Sequence, residues 1–240
     1  MKIAVLNNSG NVGKSTICHN LLLPRIAGAE LYKIETRNND LNNEGTKLKG
    51  RMYDELITNM MISDDVIVDV GSSNIEEFLH QMEEYSGSHE DFDYFIIPVI
   101  PDIKQQIDSL STIAALNAIG IEASKIKFIF NRVKKQESDD VADLFNEFSL
   151  RCKELGIKID VNKIAVIYET TIFTKLAEIK TNLADLLSVD KDYDALIKQI
   201  DKNDPDVKAK RMELAIEKTL KRQAIGVKEN LDYAFRMLKL

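Results

Sequence analysis

The chain has 240 residues, 44% hydrophobic and 30% charged, with 10 Gly and 4 Pro; this is globular composition and excludes wholesale disorder and collagen-like or low-complexity architectures. Its net charge of −7 hides an asymmetry, because Lys208–Leu240 holds nine Lys/Arg against four Asp/Glu and leaves −12 on the preceding 207 residues. An anionic partner is therefore expected to meet the tail or a local patch and not the whole surface. Apolar runs stop at four or five residues, too short to span a bilayer, and Met1-Lys2 leads directly into one of them without room for a signal peptide. Cys18 and Cys152, with His19, His80 and His89, have no metal-ligand spacing, so a reduced cytoplasmic protein is expected.

Short β-branched runs alternate with longer helical stretches, the pattern of repeated βαβ units. Lys2–Leu6 reads as a strand, followed by a glycine-containing turn and a helix over Lys14–Leu23. Glu30–Glu35 is a second strand, Lys47–Met61 a helix, and Asp65–Val70 a third strand ending at Gly71. Glu76–Tyr85 reads as helix, Tyr94–Val99 as strand, Ile103–Ala118 as helix and Lys127–Phe130 as strand. Asp140–Leu155 keeps helical spacing throughout, Ile164–Ile167 is a last short strand, and Phe173–Leu187 reads as helix. The fold class that follows is α/β, a mostly parallel twisted sheet with helices on both faces.

The polar, Pro-containing stretch Asp201–Asp206 is the clearest punctuation in the chain. It sets a boundary between a nucleotide-binding domain over 1–200 and a linker with a basic amphipathic helix over 201–240. In that tail Met212, Ile216, Leu220, Val227, Leu231, Phe235 and Leu238 recur at helical spacing. Packing of this stripe on the domain is the first expectation; docking to a partner or to lipid is the alternative.

The first strand runs into Asn8-Ser9-Gly10-Asn11-Val12-Gly13-Lys14-Ser15-Thr16. A strand, a short loop and Gly-Lys-Ser at a helix start form a P-loop, although the pattern's first glycine falls on Asn8. Backbone N–H groups from Gly10 to Ser15 can cradle phosphate oxygens, with Thr16 a further nucleotide-binding candidate; Lys14 supplies a point charge, and the Ser15 hydroxyl suits Mg²⁺. Val66-Ile67-Val68-Asp69 is a hydrophobic strand ending in a carboxylate, where Asp69 can hold a magnesium-bound water. Asn131 and Arg132 end the Phe128–Phe130 strand where a base would lie, and Asn offers a purine both a donor and an acceptor.

These elements, in this order, resemble the ParA/MinD family of P-loop ATPases over about residues 1–190, with Ile96–Pro101 and Phe130-Asn131-Arg132 matching its motifs. Within that family the chain is most similar to StbB/TraL-type plasmid stability and conjugation proteins. The resemblance implies ATP/ADP and Mg²⁺ as cofactors, a nucleotide-gated homodimer, and a role in plasmid partition or positioning. Its implied partners are a plasmid-encoded DNA-binding protein or non-specific DNA, with membrane ranked last. Departures matter: the family's signature lysine falls on Ser9. After the second strand Glu35 stands in for the first acid, while the second, water-orienting acid aligns with Arg37. Nucleotide binding carries over, with Lys14, Asp69 and Glu35 as the catalytic candidates. Slow hydrolysis is expected, and the alternative is a nucleotide-binding adaptor that hardly hydrolyses.

Overall fold

The computed structural model describes residues 1–34 and 45–240. Strand β1 (Lys2–Val5) leads through the loop over residues 6–13 into α1 (Lys14–Ile17), which widens into a π-helical turn over Cys18–Leu22. Then follow β2 (Glu30–Ile34), α2 (Gly45–Ile62), β3 (Val66–Val70), α3 (Ile75–Glu84), β4 (Tyr94–Val99), α4 (Ile103–Ala118) and β5 (Ile126–Val133). Helices α5 (Val141–Leu144) and α6 (Asn146–Glu154) precede β6 (Ala165–Tyr168). Helices α7 (Ile172–Glu178), α8 (Leu183–Ser188), α9 (Tyr193–Gln199) and α10 (Val207–Leu238) complete the chain.

Among the described residues the strands form one six-stranded sheet in the order β2-β3-β1-β4-β5-β6, with every pair parallel. Parallel strands need crossovers, and the crossover helices cover both faces. That explains why β3 (VIVDV) is buried at all five positions while β2 (ELYKI), at the edge, carries the exposed Glu30 and half-exposed flanks. Charge on an edge strand discourages further pairing. Pro98 sits in β4 without harm, because it lies beyond the last β1–β4 partner pair, Val5 with Ile96. The chain passes from β1 outward to β2 and β3 on one side, then to β4 on the other. The crevice at the carboxyl end of β1 is thus a topological switch point, where open α/β sheets bind ligands.

Three expected helices are interrupted. The one over 14–23 changes from α to π at Cys18; the one over 140–155 breaks at Phe145, whose ring stacks on Phe130 with centroids 3.8 Å apart. The one over 173–187 breaks near Lys180, which adopts a φ of 53°. Beyond Asn131, β5 continues to Val133 through a bulge that turns Arg132 outward with a φ of 56°.

The chain divides into two compact units, Met1–Glu169 with Tyr233–Leu240, and Thr170–Asp232. Within the second unit, α10 is tied to the segment before it: Lys191 and Tyr193 bond to Glu217, at 2.7 and 3.1 Å, and Lys218 pairs with Asp194 at 2.6 Å. Along α10, Leu220, Leu231 and Leu238 of the expected stripe are buried, while Met212 and Ile216 are exposed. Among the described residues, no helix is long and apolar enough to cross a membrane.

Candidate functional site

The candidate site is built at the carboxyl end of β1. Asn11 takes a left-handed φ of 58°, which Asn tolerates, and Gly13 takes φ 92° at the start of α1. Gly13 is required twice over. Its φ disfavours any side chain, and a Cβ there would collide with Asn131 Nδ2. The two turns bring the chain back on itself so that Lys14 folds under its own loop. Its Nζ donates to the carbonyl oxygens of Asn7 and Ser9, at 3.0 and 2.8 Å.

Lys14 is 8% exposed, and burial draws its pKa below the usual lysine value; attraction to Asp69, then to Cys18, works in the opposite direction. Asp69 reaches the same place from β3, where it pairs in register with Val5, the last residue of β1. It is 2% exposed, and its Oδ2 is buried with no hydrogen-bond partner among the described residues. Leaving a buried carboxylate oxygen unmet costs upwards of about 1–3 kcal/mol, a cost that a cation or a hydrogen-bond donor at that oxygen would offset.

The loop is braced from three sides. From β5, the Asn131 side-chain amide donates to the Val12 carbonyl at 2.8 Å. From α4, Thr112 Oγ1 accepts from the Asn8 amide at 2.9 Å. From the segment after β3, Ser72 Oγ lies close to Gly10, 3.8 Å from where a Cβ would stand. The structure therefore gathers Gly10, Asn11, Val12, Gly13, Lys14, Asp69 and Asn131 at one sheet edge. Ser15 is exposed and Thr16 half-buried at the start of α1. Arg132 is separated from Asn131 by the bulge: Asn131 is buried against the loop and Arg132 is exposed. Glu35 and Arg37 lie outside the described residues.

Two residues escape a motif-based reading. Asn7 is completely buried with both polar side-chain atoms bonded, and Ser72 flanks the loop. The doubled Asn7-Asn8 after an apolar strand is the available signal, since an amide at a strand's buried end needs partners.

No family model and no curated protein matches the sequence. Among solved structures, the chain is similar to one from the MinC:MinD cell division protein complex of Aquifex aeolicus. The identity is 16%, the TM-score 0.52, and the match covers 76% of this chain and 87% of that one. MinD cell division protein of Aquifex aeolicus matches at 16% identity and a TM-score of 0.47, covering 93% and 96%. A single-residue variant of Cyanothece McdA, in complex with ATP, matches at 16% and 0.46, covering 95% and 97%. At such identity the likeness is one of fold: the chain is an α/β protein with a six-stranded parallel sheet, similar in fold to the MinD complex structure, and it ends in a long helix.

Proposed function

We propose that the chain is an ATP-dependent positioning or partition protein: a Mg²⁺-dependent nucleotide switch that gates a homodimer and turns ATP over slowly. Its working surface in this reading is DNA or a plasmid-encoded DNA-binding partner. One observation carries the nucleotide half: a buried lysine ammonium held on loop carbonyls beside a buried carboxylate with an unmet oxygen, at the switch point of a parallel sheet. These residues fit the implied group. Loop amides from Gly10 to Thr16 would hold phosphate oxygens, Lys14 would add its charge, and Ser15 with Asp69 would hold the magnesium. The bound ion would screen the phosphates' negative charge and hold them in line. Asn131 spends one amide hydrogen on Val12, which leaves its carbonyl oxygen as an acceptor suited to the exocyclic amine of adenine.

The trigger for turnover is where two readings separate. Ser9, which stands where the resembled family has a lysine reaching across the dimer, is 5% exposed. Its backbone N–H is held by Asn7 Oδ1 and its carbonyl by Lys14. No long cationic side chain leaves the loop at that point. This favours the second reading, a nucleotide-binding adaptor of plasmid conjugation or stability with little or no hydrolysis.

Calorimetry with ATP·Mg²⁺ tests the site: strong binding by the wild type and a large loss in Lys14→Ala is expected, and equal affinity refutes it. Single-turnover phosphate release, with and without DNA, separates the two readings. The ATPase reading expects turnover up to the order of 10⁻² s⁻¹. An adaptor releases no phosphate on that timescale in either condition.

A further inference from the structure

Asn7 closes β1's buried run and is 0% exposed, a position where a leucine would ordinarily stand. Both polar atoms of its side chain are bonded. Nδ2 donates to the Pro98 carbonyl at the end of β4 and to Ser109 Oγ on α4, both at 2.7 Å. Oδ1 accepts from the Ser9 N–H at 2.8 Å. Ser109 passes its own hydroxyl hydrogen to the Gln105 carbonyl at 2.7 Å, which anchors the arrangement one turn back along α4. The two oxygens that orient the Lys14 ammonium are the carbonyls of Asn7 and Ser9, the very residues this side chain fixes. An amide buried for packing alone would be a poor choice, since its desolvation is offset only when every polar atom is met.

We propose that Asn7 is a positioning residue for the phosphate site: by tying the backbone of Ser9 to β4 and α4, it sets where the Lys14 ammonium points. The inference rests on the nucleotide reading of the loop, and it adds that α4 is the loop's mechanical backing. Asn7 touches no ligand in this role; it acts through Lys14.

A double-mutant cycle separates positioning from packing, because only positioning depends on Lys14 being present. Affinity for ATP·Mg²⁺ is measured by calorimetry in wild type, Asn7→Ala, Lys14→Met and the double variant, with melting temperatures alongside. Asn7→Ala is expected to weaken binding by about tenfold, the equivalent of one lost buried hydrogen bond. In the Lys14→Met background the same change is expected to stay within about twofold, since no ammonium remains to be placed. Ser109→Ala, which cuts the tie to α4 and spares the Ser9 arm, is expected to weaken binding several-fold with Lys14 present and to stay within about twofold in the Lys14→Met background. Equal losses from Asn7→Ala in both backgrounds overturn the proposal, as does wild-type affinity in a destabilised Asn7→Ala. If Asn7→Ala does not fold, Asn7→Ser takes its place in the cycle with the same criteria. Failure of the underlying reading is recognisable on its own, as wild-type affinity in Lys14→Met.

Discussion

Gly13 and Lys14 show how backbone geometry and burial constrain the loop after β1. At Gly13 the left-handed backbone and the Asn131 amide leave no room for a methyl group. Gly13→Ala is expected to cost about 1–3 kcal/mol in urea denaturation and to remove most nucleotide affinity, because relief requires Asn131 to release Val12. At Lys14 the sign is opposite. Burial disfavours its charged form more than Asp69 favours it, so the pKa lies below the ordinary 10.5. The charge therefore destabilises the fold below that lowered pKa, and the cost fades as pH rises through it. Lys14→Met is expected to melt no lower than wild type at neutral pH without nucleotide, and its advantage should shrink as pH approaches 10.5. A thermal scan across that range checks it; a large loss of melting temperature at neutral pH would show that the two carbonyl bonds outweigh desolvation.

Among the elements, α10 gives the clearest case. Glu217 on α10 is held below the usual 4.5, first by the hydrogen bond from Lys191, against some desolvation, with Tyr193 assisting. A depressed carboxylate contributes stability above its unfolded value and loses it as pH falls through the folded one. Glu217→Gln is thus expected to lower the melting temperature slightly at neutral pH, by the equivalent of about 0–1 kcal/mol for a largely exposed pair. The gap between the two proteins should close below the 4.5 region. Element existence was readable from spacing, as for α4, whose start is marked by Asp102 accepting from the Gln105 amide. Element continuity was not. The 140–155 stretch keeps helical spacing across Phe145, and the break there accompanies stacking on Phe130, a residue of another element.

For the molecule as a whole the question is what the basic tail does. From Leu220 onward its stripe is largely buried, so deleting residues 207–240 would expose an apolar core face as well as remove charge. Charge reversal at exposed Lys208 and Arg222 is the cleaner experiment. If DNA is the partner, retention should fall with salt along a log–log line whose slope tracks the phosphates contacted. The double reversal should make that slope shallower and leave ATP affinity unchanged. An unaltered slope assigns any DNA contact to another surface.

Local spacing along the chain was enough to establish the α/β alternation, the loop at the end of the first strand and the strand-end carboxylate. Each depends on a short-range signal: apolar periodicity, a strand-to-loop junction, a residue at a strand's last position. What those residues do to one another came from the packing in three dimensions. Strand order brought Asp69 beside the end of β1, and the Asn131 amide onto Val12 across 119 positions of sequence. It also turned Asn7, an unremarked residue before the loop, into the junction of β1, β4 and α4. Burial is the physical reason. A polar side chain's role in a dry interior is set by the partners that surround it, and those partners come from segments with no periodic relation to it.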